Sequence, residues 1–295
     1  MGEHTEAIVT GLRLLVTADL HFNHNRSRPL AEEAIAEINA TPGDVLLLVG
    51  DTAAADGDAL EQALSRITFT GPKLFLCGNH ELWTSGPNSY ALFEIDLPRR
   101  VRELGWQWLE TEPFQLAGTA IVGTVGWYDY SFAADTLGIP DRFYAAKISP
   151  GAAHRLSSYQ HLLRDDVSPA AMEVVARWND GKFVKLGRAD EAFLQERIDR
   201  LRLSLDQVAA ADRVIAAVHH VPFKQLLPPR HSATWDFARA YLGSDRLGDV
   251  LLADPRVSHV YCGHSHHAAE AHIGHLHAIN IGSGYRSKRV LTLDV

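Results

Sequence analysis

Short runs of consecutive apolar residues alternate along the chain with stretches in which apolar residues recur every three or four positions. The first pattern suits strands buried on both faces, the second helices with one buried stripe. Leu12 to Thr17, Leu46 to Val49, Leu74 to Cys77, Ala120 to Val125, Val214 to Val218 and Val257 to Tyr261 read as strands, with a short one near Trp106 to Leu109. Ala31, Ala34, Ile35 and Ile38 predict a helix with Pro29 in its first turn and Ser27 as its cap. Further helices are expected around Leu60 and Leu64, near Leu247 to Leu252, and from about Asp190 to Ala210, with Phe193, Leu194, Ile198, Leu201 and Leu205 on one stripe. The tail, Ala271 to Val295, reads as a short antiparallel meander. Alternating strands and helices predict an α/β fold.

The rhythm breaks from about Trp127 to Gly187, a stretch holding Tyr128, Tyr130, Phe132, Phe143, Tyr144, Tyr159 and Trp178. So many aromatics argue for an ordered insertion of short helices rather than disorder. With no repeat or linker in view, residues 1–295 read as one domain carrying an insertion at about 127–187.

Composition narrows the class. At 295 residues, 46% hydrophobic and 22% charged, the chain can bury a core without disulfides. Its two cysteines, Cys77 and Cys262, fit a reducing compartment. Met1 to Thr10 has neither a basic start nor an apolar core, so no signal peptide is expected. No apolar run is long enough to span a bilayer, and a cytoplasmic location is expected. The formal charge of −8 weighs against an extended nucleic-acid track.

The chemistry lies at strand ends. Five apolar runs lead directly into oxygen or nitrogen ligands: Asp19 and His21, Asp51, Asn79 and His80, His219 and His220, and His264 and His266. Strand carboxyl ends in α/β sheets line one ligand-binding rim. Asp, Asn and His together suit borderline divalent ions such as manganese, iron or zinc. The i, i+2 pairs Asp19/His21 and His264/His266 can share a face at a strand end. Glycines before Asp51, Asn79 and His264 permit tight turns. Taken singly, an Asp after a strand is usually a cap, a Gly-Asn pair a turn, and a His pair packing. Those readings do not predict five coincidences at five strand ends.

The ordered set Asp-x-His, Gly-Asp, Gly-Asn-His-Glu, His-His and Gly-His-x-His, from Asp19 to His266, resembles the calcineurin-like metallophosphoesterase superfamily. The resemblance implies a four-layer αββα sandwich of two mixed β-sheets flanked by helices. It implies one divalent ion on Asp19, His21 and His266, a second on Asn79, His219 and His264, and Asp51 bridging both. His220 is the alternative to His219. The ions would be manganese first, with iron or zinc as options, and would activate water against a phosphomonoester or phosphodiester. Asp51, Asn79 and His80 would be the catalytic set, with Asn79 and His80 contacting the phosphate and His80 serving the leaving oxygen. His24 is a further substrate-binding candidate.

Two positions depart from the family pattern. Ala54 stands where many relatives have an acid or amide, which Asp56 could replace, and Glu81 stands where many have Asp and could orient His80. Trp127, Tyr128, Asp129 and Tyr130 either select substrate or form a satellite core, while Arg142, Lys147 and Arg155 are candidate contacts to a second phosphate. His272, His275 and His277 read as exposed strand residues rather than a second metal cluster. The rival functions are a nuclease or nucleic-acid end phosphatase, and a non-catalytic scaffold that has lost its metals. Gly282-Ser283-Gly284 lacks the spacing of a serine nucleophile elbow. A phosphate-ester substrate is the expected partner, without a membrane.

Overall fold

The computed structural model of the protein describes residues 11–294. The signal-peptide reading of Met1 to Thr10 falls outside the described residues. Strands β1 (Arg13–Thr17), β2 (Val45–Val49), β3 (Lys73–Leu76), β4 (Gln107–Trp108) and β11 (Leu291–Asp294) form one sheet in the order β11-β1-β2-β3-β4. Strands β5 (Phe114–Leu116), β6 (Thr119–Thr124), β7 (Arg213–Val218), β8 (Val257–Cys262), β9 (Ala269–Ile273) and β10 (Leu276–Asn280) form the other, in the order β5-β6-β7-β8-β10-β9. Both sheets are parallel at their centres; the first is antiparallel at its β11 edge and the second at both edges. Helices flank them, giving the four-layer αββα sandwich expected from the resemblance.

The strands read as unbroken apolar runs because each of their faces is covered. Val45, Leu47 and Val49 pack between the sheets with Leu14, Val16, Leu74, Ile215 and Ala217. Leu46 and Leu48 face outward, in the cluster that holds Ala34, Ile35 and Ile38 of the helix Arg28–Ala40. Each buried leucine contributes roughly 1.5–3 kcal/mol by leaving water.

Pro29 lies in the first turn of that helix, but Ser27 makes no side-chain cap bond. Its hydroxyl instead donates to Leu20 O at 2.7 Å, tying the helix entry to the loop that carries Asp19 and His21. The helix Asp190–Gln207 buries the stripe expected for it.

The tail is not one meander. Strands β9 and β10 form a hairpin, but β10 then lies parallel to β8, and the chain crosses to the other sheet, where β11 pairs with β1. Leu291 and Leu293 reach the inter-sheet core there. Their alternation marks a one-faced strand but does not name its sheet.

Between residues 127 and 187 the chain forms only short helical pieces, among them Asp141–Ala145, Pro150–His154 and Asp180–Phe183. Among the described residues no helix is long and apolar enough to cross a membrane.

Candidate metal centre

The carboxyl ends of β1, β2 and β3 in one sheet meet those of β7 and β8 in the other, so the rim spans the sandwich. Asp19, His21, Asp51, His264 and His266 all have positive φ, between 44° and 67°. This left-handed conformation costs a non-glycine residue about 1–3 kcal/mol and concentrates at functional sites. The i, i+2 pairs therefore converge through paired left-handed residues rather than through the pleat of a strand. Backbone bonds hold them there: Asp19 N–H donates to Gly50 O at 3.0 Å and His21 N–H to Asp51 O at 2.9 Å. Gly78 and Gly263 serve for space rather than for a turn. A Cβ on them would lie 2.2 Å from Asp51 Oδ1 and 2.4 Å from Asp19 Oδ2.

Two groups of side chains come together. Asp19, His21, Asp51 and His266 each bring a ligand-type atom within 4.8 Å of the others, and Asp51, His219 and His264 do the same. Asp51 belongs to both. Its Oδ2 is 3.8 Å from His21 Nε2 and its Oδ1 is 3.4 Å from His219 Nε2. Asn79 joins the second group, with Oδ1 3.4 Å from His219 Nε2.

The outer contacts set the tautomers. His219 Nδ1 is 2.9 Å from Val49 O and donates to it, leaving the Nε2 lone pair facing Asp51. His264 Nε2 is 3.1 Å from Tyr241 O, which leaves its Nδ1 lone pair free. Such outer bonds orient metal-ligating imidazoles. Asp19 is held by the His264 N–H, at 3.1 and 3.2 Å from its two oxygens.

The electrostatics fit a bound cation. Burial lowers the His219 pKa, but the Asp51 carboxylate outweighs it and pushes the value up to about 9. The carboxylate field that raises this value would equally favour a cation beside the ring. Against the burial that opposes ionisation, His219, His80 and His21 hold Asp51 well below the usual carboxylate range. His21 Nε2 and His266 Nε2 stand 2.9 Å apart, and His21 Nδ1 is buried without a partner. Two carboxylates, an amide oxygen and imidazoles, with no thiolate, suit a borderline divalent ion.

His219, not His220, faces the site. His220 Nδ1 bonds Val125 O at 2.8 Å, and its ring lies 4.8 Å from that of Trp127 and 4.3 Å from that of His264. His80 borders the site with Nε2 3.8 Å from Asp51 Oδ2 and 3.5 Å from Tyr285 Oη, its ring stacked on Trp83 at 3.7 Å. His24 stands at the edge, its ring 5.0 Å from Tyr285 and 6.0 Å from His80.

The remaining candidates resolve on contact. Glu81 does not orient His80; its carboxylate accepts the backbone N–H groups of Gly78, Asp51, Thr52 and Ala53. Asp56 is taken by Thr84 and Ser85, so it does not replace the missing group at Ala54. Trp127 and Tyr128 are fully buried and join the main hydrophobic cluster with Val125 and Phe193, so they offer no substrate surface. Arg142 pairs with Asp166 and Lys147 with Asp190. Ser283 is buried against the Arg289 backbone and is no nucleophile.

Sequence reasoning missed the walls. A hollow of about 270 Å³ opens beside Asp51, Asn79, His80 and His264, walled by Trp83, Arg177, Trp178, Trp235 and Tyr285. A larger hollow of about 590 Å³, lined by Arg202, Asp206 and Arg246, holds none of the site groups. Lys288 was missed as well; its ammonium donates to Asp19 O at 2.6 Å and Gly284 O at 2.7 Å. Arg177 and Trp178 lie a hundred residues from the Gly-Asn-His-Glu motif, with no local pattern to mark them.

Among solved structures, phosphopantetheinyl hydrolase from Mycobacterium tuberculosis is similar, with a TM-score of 0.68 and 19% identity over 95% of this chain and 92% of that one. A dimetal phosphatase from Danio rerio is similar at a TM-score of 0.50 and 14% identity, over 94% of this chain and 89% of that one. At such identities the likeness is one of fold. No curated protein matches the chain. The model of the calcineurin-like phosphoesterase family matches residues 12–268, spanning every strand end at this rim. The chain therefore belongs to the calcineurin-like phosphoesterase family.

Proposed function

We propose that the protein is a dinuclear metal-dependent phosphoesterase acting on small, nucleotide-like phosphomonoesters or phosphodiesters. One cation would rest on Asp19, His21, Asp51 and His266, the other on Asp51, Asn79, His219 and His264. The observation that carries this reading is the sharing of Asp51 by two ligand groups, each gathered within 4.8 Å. Bound divalent cations would supply Lewis-acid charge for the phosphoryl oxygens and acidify the attacking water. Manganese is our choice of ion, with iron and zinc compatible with the same donors.

The chain's own groups do the rest. His80 lines the hollow, with Nε2 3.5 Å from Tyr285 Oη, where it would donate to a phosphoryl oxygen or protonate the leaving oxygen. Stacking on Trp83 limits its rotation. Asn79 would present Oδ1 to a cation and line the phosphate site. The aromatic walls would hold a planar or apolar leaving group and exclude water. The hollow's small volume and the formal charge of −8 favour a small ester over an extended nucleic acid.

We treat the chain as one metallophosphoesterase domain in which residues 127–187 are an insertion, and we assign it to the cytoplasm on its two free buried thiols, Cys77 and Cys262. The test strips the protein with chelator, restores manganese and compares p-nitrophenyl phosphate with its bis-ester. Turnover restored by metal is expected, and the preferred ester separates monoesterase from diesterase. Protein that binds no metal would instead fit the scaffold reading.

A further inference from the structure

One carboxylate of the inserted segment holds the candidate centre and the wall of the hollow together. Asp180 is completely buried and opens the short helix Asp180–Phe183. Four donors converge on it. Oδ1 accepts Asn79 Nδ2–H at 2.9 Å and Trp83 Nε1–H at 2.6 Å. Oδ2 accepts Trp178 Nε1–H at 2.8 Å and Tyr128 O–H at 3.1 Å. One oxygen thus serves the strand-end loop and the other serves the insertion.

Each bond has a consequence at the site. An amide can turn either its oxygen or its nitrogen toward a cation, and only the oxygen is a ligand. Asp180 binds the nitrogen, which leaves Asn79 Oδ1 facing His219. Trp83 stacks on His80, so fixing the indole fixes the imidazole. Trp178 walls the hollow and stacks on Tyr241 at 5.2 Å, and the Tyr241 carbonyl receives His264.

Asp190 is the natural control. It too is a buried carboxylate, taken by Trp127, Tyr130 and Lys147, but none of these belongs to the centre.

We propose that Asp180 is a positioning residue by which the insertion fixes the Asn79 amide, the His80 ring and the substrate wall. This rests on the phosphoesterase reading above. The experiment measures manganese affinity of chelator-stripped wild type, Asp180→Asn and Asp190→Asn by calorimetry, with kcat and KM on an aryl phosphate and the unfolding midpoint. Asparagine keeps the size of Asp180 but turns an NH₂ toward donors. In Asp180→Asn the weaker manganese site should lose about 10–100-fold in affinity. Excess manganese should then restore kcat only in part, since the Trp83 indole that holds His80 stays loosened, while KM stays raised. Asp190→Asn should lower the unfolding midpoint and keep both affinities. Unchanged affinity in Asp180→Asn, or an equal loss in Asp190→Asn, overturns the proposal. If Asp180→Asn does not fold, Trp178→Phe decides, since it removes one donor from the insertion side only. A raised KM, with manganese affinity unchanged or lowered through Tyr241 and His264, supports the proposal; an unchanged KM overturns it. Wild type that binds no manganese overturns the phosphoesterase reading itself, and this inference with it.

Discussion

Glu81 grips Asp51 by its backbone. Glu81 Oε2 accepts the Asp51 N–H at 3.0 Å, while Asp51 Oδ1 accepts the N–H of His80, the residue before Glu81, at 2.9 Å. The loops after β2 and β3 are thereby clasped in both directions. Glu81 also takes the N–H groups of Thr52 at 2.6 Å, Gly78 at 2.7 Å and Ala53 at 3.1 Å, in a site closed to water.

Replacing that carboxylate leaves buried backbone donors facing an NH₂ group. Glu81→Gln is expected to lose about 1–3 kcal/mol of stability, the cost of an unsatisfied buried polar group. Chemical denaturation of the chelator-treated protein measures it, and an unchanged midpoint would refute the clasp.

Asp51→Asn removes the one carboxylate common to both ligand groups. On the proposed dinuclear reading, manganese binding at both positions should weaken, by more than the roughly 10–100-fold typical of outer-shell changes. Near wild-type turnover with metal in excess would sink the bridging assignment.

His80→Ala should keep its metals and lose about 10²–10⁴-fold in kcat, the usual range for a general acid or base. The loss should be larger for an alkyl phosphate than for p-nitrophenyl phosphate, whose leaving group needs no proton. Equal losses on both would assign His80 to phosphate binding alone.

On the surface of β8, β10 and β9, the rings of His272 and His277 stack at 4.5 Å, and His277 lies 5.4 Å from His259. Glu270 takes His277 Nε2 at 2.6 Å. Burial first, then His277, Arg213 and His272, lower the His259 pKa below its ordinary 6.5. The folded state therefore binds this proton less readily than the unfolded chain. Its contribution to stability is complete above about pH 6.5 and is lost as pH falls from there through the lower folded-state value. His259→Thr should lose less stability than wild type between about pH 7.5 and 5.5, read as the shift in urea midpoint. An identical shift in both would rule out this patch as a source of acid sensitivity.

Much of the fold was legible because strands buried on both faces leave continuous apolar runs. The strand ends announced the site, since ligand side chains followed those runs directly. Ser27 and Glu81 show where local reading failed. Each is a common capping or orienting type, but each spends its polar atoms on backbone far from its expected partner. The choice of sheet for β11 was hidden for a related reason: alternation tells which face is buried, not which edge is open.

The sequence by itself determined the α/β class, the order of the candidate ligands and the residue types that meet at the rim. Apolar periodicity and strand-end position are local properties, written within a few residues. Tertiary structure alone decided that five of these residues adopt left-handed backbone, that His219 rather than His220 faces Asp51, and that Asp180 reaches Asn79 from a hundred residues away. Those outcomes depend on which hydrogen bonds remain once two sheets and an insertion have packed, and a buried donor takes the nearest acceptor in space, whatever its distance along the chain.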